Sequence, residues 1–136
     1  MAEQETAERL VQIGRLVDMG LGGQIVAGTD AGCYDFSFGH IDYALHLMVA
    51  GGMSPMSAIM AATSISARAC GVDDQVGSLE PGKVADIVLV RGDPLADIDR
   101  AGDVEAVFQR GSQISGQLLA PALTSPPATE AGPTVI

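Results

Sequence analysis

The chemistry-bearing residues of this chain gather around Asp30. In GQIVAGTDAG, residues 23–32, a short apolar run ends in a carboxylate set between Gly28 and Gly32. At the C-terminal end of a strand in a parallel α/β layer, where ligands bind, such a carboxylate can hold a metal ion or move a proton. In an isolated loop the same Asp caps a turn, and on the pentapeptide alone the two readings stand level. Cys33 follows closely, but its neighbour is an acid, whereas a nucleophilic thiol wants a nearby cation or helix N-terminus. Gly32 and Cys33, beside Asp30, and His40, just past the same loop, are candidate pocket-wall residues. His40 and His46 are the only histidines. Their spacing of six does not put them on one helical face, and each reads first as a surface histidine. Asp35 and Asp42 read as an acidic rim or as solvated loop carboxylates. Cys70 ends an apolar helical face and reads as packing. Ser64 and Ser66 lack a nucleophile-elbow pattern. The glycines of GLGGQIVAG precede the apolar run instead of linking strand to helix, which excludes a phosphate loop.

The elements that must position these residues follow from periodicity. Residues 3–19 have helical spacing, with Leu10, Ile13, Val17 and Leu21 on one face, and Gly20, Gly22 and Gly23 stop the helix. QIVAGTD reads as a short buried strand of the parallel type. After a loop, residues 41–50 return to helical spacing, with Ile41, Leu45 and Met48 on one side. Ser54 and Pro55 start a further helix as N-cap and first helical residue. Met56, Ile59, Met60, Thr63, Ala67 and Cys70 mark its expected apolar face, and Gly71 closes it. Beyond Gly71 the pattern turns to β. VGSLEPGKVADIVLV reads as strand, Pro-Gly turn and apolar strand; GDPLADI is turn-rich; VEAVFQRGSQIS reads as a hairpin bending at Gly111. From Pro121 onward the composition is that of a disordered tail.

Bulk properties narrow the function classes. The 136 residues suffice for one domain, and 47% of them are apolar. The core must be built from aliphatic residues and Met, because aromatics make up only 4%. A net charge of −10 excludes a phosphate-binding basic surface and argues against an anionic membrane. The N-terminus has no basic region followed by an apolar stretch, and no apolar run spans a bilayer. The expectation is a cytoplasmic protein with reduced thiols, without nucleic-acid or membrane partners.

Taken in order, GTDAG, LMVAGGMSPMSAIMAATSISARACGVDDQVGSLEPGKVADIVLV, GDPLADI and VFQRG resemble the C-terminal part of the metal-dependent amidohydrolase superfamily. The imidazolonepropionase-like and zinc dipeptidase-like members are the most similar. The resemblance runs over residues 3–116 and rests chiefly on SPMSAIMAAT followed by GSLEPGKVADIVLV. It implies an α/β fold class: the C-terminal fragment of a (β/α)8 TIM-type barrel plus the C-terminal strands of a composite β-sandwich. Residues 1–71 would be the end of the barrel (seventh helix, eighth strand, closing helices), 72–119 the sandwich share and 120–136 a disordered tail. Asp30, ending the eighth strand, would be both metal ligand and proton shuttle. A divalent metal, zinc in the first instance, would activate water for attack on an amide-like C–N bond, peptide or cyclic amide.

The family's remaining ligands come earlier in its chain: a His-x-His on the first strand, a carboxylated Lys or an acid on the fourth, and one His each on the fifth and sixth. A barrel takes about 250 residues, and a catalytic zinc about three protein ligands. The resemblance therefore implies that Asp30 does not retain a metal unaided. The implied partners are a small-molecule or dipeptide-like substrate and the N-terminal part of the barrel. The alternative is a catalytically inactive, self-associating binding module that kept the packing and lost the metal site.

Overall fold

The computed structural model describes residues 2–32, 38–116 and 134–135. The chain is α/β, with helices first and an antiparallel sheet after them.

Helix α1 (Ala2–Asp18) matches the expected helix, and Leu10, Ile13 and Val17 are half-buried while Glu8 and Arg9 are exposed. It ends in paired backbone bonds, from the Gly20 amide to the Val17 carbonyl and from the Leu21 amide to the Leu16 carbonyl. Those bonds satisfy carbonyls that the helix end would otherwise leave unpaired. A 3-10 turn, Gly22–Gln24, leads into residues 25–30.

Helix α2 (Ile41–Ala50) buries Leu45 and Met48, while Ile41, expected on the same face, stays exposed at the first turn. Helix α3 (Pro55–Ala62) starts as the Ser-Pro pair requires: the Ser54 hydroxyl accepts from the Ser57 amide at 3.1 Å.

The sequence pattern predicts one helix through Cys70. The structure has two, α3 and α4 (Ser64–Ala69), broken at Thr63. The buried face also differs from the expected one. Ala67 is buried as expected, but so are Ala58 and Ala61, whereas Met56, Met60 and Cys70 are exposed. Alanines let neighbouring backbone approach closely, and the chain uses them here: the Ala27 amide reaches the Ala61 carbonyl at 3.0 Å. A methionine stripe at that position would hold the segment off.

The principal core joins Leu45, Met48, Met53, Ala58 and Ala61 to Ile98 and Ala101, with Ile13, Val17, Ile25 and Ala27 packed against it. Ile98 and Ala101 come from a 3-10 segment, Ile98–Gly102, that docks the β region onto α2.

The strand expected before the Pro-Gly turn does not form. Residues 76–84 are instead tied by the Val84 amide to the Gln75 carbonyl and by side chains: Lys83 Nζ donates to the Ser78 hydroxyl at 2.5 Å, and that hydroxyl donates to Glu80 at 2.6 Å. Ser78 and Lys83 offer the loop local partners that compete with a ladder.

The sheet order is β3-β2-β1-β4, built from β1 (Ile87–Val90), β2 (Val104–Gln109), β3 (Ser112–Gly116) and β4 (Thr134–Val135), every pair antiparallel. The hairpin β2–β3 turns through Arg110 and Gly111, at φ of 51° and 78°. Two consecutive left-handed residues make the tight turn that matches strand twist, and Gly supplies the second without steric cost. Val90 and Ala106 are fully buried in the sheet. Thr134 and Val135 pair with β1 from within the stretch whose composition suggests disorder, and the preceding residues 117–133 lie outside the described ones.

Candidate active-site segment

Residues 25–30 carry the candidate site. They are extended, with Ile25, Ala27 and Thr29 half-buried and Val26, Gly28 and Asp30 exposed. This is strand periodicity, yet the segment belongs to no sheet among the described residues. The expected buried parallel strand is corrected accordingly. A strand needs a ladder of backbone partners, and the backbone bond made here goes to a helix carbonyl, that of Ala61.

Asp30 closes the segment in left-handed backbone, φ 50°, which Asp tolerates better than most residues. Its side chain is exposed, and among the described residues no hydrogen bond or ion pair occupies the carboxylate. The space over Gly28 is open, so nothing among the described residues presses on it. Gly32 lies beneath the Phe38 ring, which stands 3.3 Å from where a Cβ would be, and Phe38 itself is 82% exposed. Cys33 and Asp35 lie outside the described residues.

His40 is at the N-terminal end of α2 with its ring exposed, 3.8 Å from the Asp42 carboxylate. That pairing is with its own helix. Among the described residues no three His, Cys, Asp or Glu side chains converge in a way that could hold a metal ion. Among the described residues Asp30 therefore stands as a single donor.

A second polar grouping escapes sequence reasoning. His46 Nδ1 lies 2.7 Å from Asp99 Oδ1, and the Tyr43 ring stacks on the His46 ring at 6.3 Å between centroids and 6° between planes. With Asp42 these residues line a shallow surface pocket between α2 and the Ile98–Gly102 segment. Fifty-three positions separate His46 from Asp99, and no local pattern marks the pair. Both side chains are about half exposed or more, so solvent screens the interaction. Elsewhere, hydrogen bonding from Ser78, then the bond and charge of Lys83, holds the Glu80 carboxyl below its ordinary value. The Asp103 hydrogen bond, then the charges of Asp103 and Asp97, raise the Arg100 guanidinium above its ordinary value. Neither group adjoins Asp30 in sequence. Among the described residues no helix is long and apolar enough to cross a membrane.

The chain is similar to known proteins. The model of the Amidohydrolase family matches residues 3–114. Adenine deaminase 1 of Latilactobacillus sakei subsp. sakei (strain 23K) is 40% identical over 77 residues, which are 57% of this chain and 12% of that protein. A crystal structure of a Xaa-Pro dipeptidase with methionine bound in its active site superposes with a TM-score of 0.72 at 33% identity, over 79% of this chain and 25% of that one. The structure of molinate hydrolase superposes with a TM-score of 0.70, also at 33% identity, over 86% of this chain and 29% of that one. The chain thus spans about an eighth of that curated relative and about a quarter of those solved structures. With the family match covering most of its residues, helices and sheet together, the chain belongs to the amidohydrolase family.

Proposed function

We propose that this chain is the barrel-closing end of an amidohydrolase that hydrolyses a C–N bond of a small molecule, and that Asp30 is the carboxylate it brings to the active site. The family match across residues 3–114, with Asp30 ending an extended segment docked on α3, is the observation that carries this reading. A deaminase and a dipeptidase both break a carbon–nitrogen bond, and both are among the similar proteins. The reading divides the chain as the motifs do: 1–71 as the end of the barrel, 72–119 as the sandwich share and 120–136 as the tail. It places the enzyme in the cytoplasm.

The described residues do not make a metal centre alone, since a catalytic zinc takes about three protein ligands and Asp30 is one. In the completed enzyme Asp30 is one ligand of a divalent metal, zinc in the first instance. A divalent metal bound there would supply activation of the attacking water. The Asp30 carboxylate takes the proton from the attacking water and delivers it to the leaving nitrogen, a general-base step followed by a general-acid step. Its exposure, with no partner among the described residues, leaves the carboxylate available for that exchange. Gly32, Cys33 and His40 form pocket wall in the same reading.

The test combines the chain with the barrel portion that precedes the matched region in the Xaa-Pro dipeptidase. Metal content and dipeptide hydrolysis are then compared for the native chain and Asp30→Asn. The expected result is hydrolysis that falls on the order of 100-fold or more in the variant, and no stoichiometric metal on the 136-residue chain by itself. Equimolar zinc held tightly by the isolated chain, or an unaffected Asp30→Asn rate, would overturn the reading.

A self-associating, non-catalytic module is the second reading. Exposed Val11, Met19, Val26, Met56 and Met60 favour it, because apolar surface of this kind seeks cover. A defined homodimer that binds no barrel portion would support it over the first.

A further inference from the structure

The break between α3 and α4 has a bonding pattern of its own. Thr63 leaves helical geometry at φ −123° and ψ −95°. Its amide donates to Met60, three residues back, so the Ile59 carbonyl loses its usual helical donor. The Thr63 hydroxyl takes that place, donating to the Ile59 carbonyl at 2.7 Å. Two residues before Thr63, the Ala61 carbonyl would accept the Ile65 amide in a continuous helix. Here it accepts the Ser66 hydroxyl at 2.5 Å and the Ala27 amide at 3.0 Å instead. Gly77 seals the junction from the other side: a Cβ there would stand 2.5 Å from the Ala67 Cβ and 3.1 Å from the Thr63 carbonyl oxygen. Ala27 lies three residues before Asp30.

We propose that Thr63 and Ser66 are positioning residues for Asp30: their hydroxyls hold α3 and α4 apart so that the Ala61 carbonyl is free to seat Ala27 and, through it, the segment that ends in the carboxylate. The proposal rests on the reading of Asp30 as the active-site carboxylate. Without the hydroxyls the break relaxes toward a continuous helix, the Ile65 amide competes for Ala61, and Ala27 loses its seat. Hydroxyl bonds to preceding carbonyls are known to bend helices, and here the bend has a definite client.

The experiment is amide hydrogen exchange by NMR on the full 136-residue chain, native and with Ser66→Ala, Thr63→Val and Ser66→Thr. In Ser66→Ala and Thr63→Val the Ala27 amide should exchange about 3- to 10-fold faster, and the Asp30 amide resonance should move. The Leu45 and Met48 amides, in the core on α2, should keep their protection. Ser66→Thr, which retains the hydroxyl, should restore Ala27. Unchanged Ala27 protection in both variants would overturn the proposal. So would an equal loss at Ala27, Leu45 and Met48, which is general destabilisation. Asp30→Asn leaves these bonds in place, so failure of the Asp30 assignment would appear in metal content and rate and not in this exchange pattern.

Discussion

His46 Nδ1 stands 2.7 Å from Asp99 Oδ1, tying α2 to the 3-10 segment that carries the β region. Beneath this pair, Ile98 and Ala101 share a core with Leu45 and Met48. The apolar contact carries the docking, and the surface pair adds little to it. A double-mutant cycle on His46→Ala and Asp99→Ala, read by urea unfolding, should give a coupling of at most about 1 kcal/mol. The coupling should shrink as salt rises.

Val90 is fully buried at the centre of the sheet, between β2 and β4, whereas Ile114 on β3 is 60% exposed. Val90→Ala should destabilise the chain by about 2 kcal/mol, from lost burial and the cavity left behind. Ile114→Ala should stay within about 0.5 kcal/mol. Denaturant midpoints at constant slope measure both.

The hairpin turn places an arginine where left-handed backbone is required, Arg110 at φ 51°. Its amide donates to the Asp86 carboxylate at 2.8 Å, a bond any replacement but proline keeps. Arg110→Asn should therefore stabilise the chain by about 0.5–1 kcal/mol, since Asn accepts this conformation more readily. Gly111→Ala should cost about 1 kcal/mol or more, as alanine resists φ of 78°. Thermal unfolding of the two variants should move in opposite directions.

Glu80 gives the loop before β1 a sensitivity to acid. Its folded pKa lies below the ordinary 4.5 because Ser78 and Lys83 favour the charged form. The resulting stabilisation is present above the unfolded value and is lost as pH falls through the lowered folded value. Stability measured downward from pH 4.5 should therefore decline less steeply in Glu80→Gln than in the native chain.

Cys70 is a free, exposed thiol, although its place at the end of a helical face suggests packing. In a Cys33→Ser background it should react fully with a thiol reagent in the folded chain, without denaturant. Cys70→Ser should change stability by less than about 0.5 kcal/mol. Protection until unfolding would show a buried sulfur.

The helix starts and the hairpin were legible because their causes are local. Ser54 and Pro55 cap and begin α3, Gly20 ends α1, and Gly111 bends the hairpin, each through bonds or dihedrals within a few residues. Asp30 was legible as a candidate because a carboxylate after an apolar run, flanked by glycine, is a local pattern, and the motifs after it named the family that the comparisons show. The buried face of α3 departs from the apolar stripe because period 3.6 identifies such stripes without saying which neighbour must come close. The contact with Ala27 selected the alanines over Met56 and Met60.

By itself, then, the sequence determined the helix starts, the hairpin and its turn, the family and the candidate carboxylate, all properties of short windows or of motif order. The tertiary structure decided the break at Thr63, the seating of Ala27 on Ala61, the pairing of His46 with Asp99 and the loss of the strand expected before Lys83. The seating of Ala27 on Ala61 and the His46–Asp99 pair bring groups far apart in the chain to one carbonyl or one carboxylate, while at the break and in the lost strand side-chain hydroxyls and a lysine compete with the backbone for nearby partners. Such competition is settled only when the elements pack.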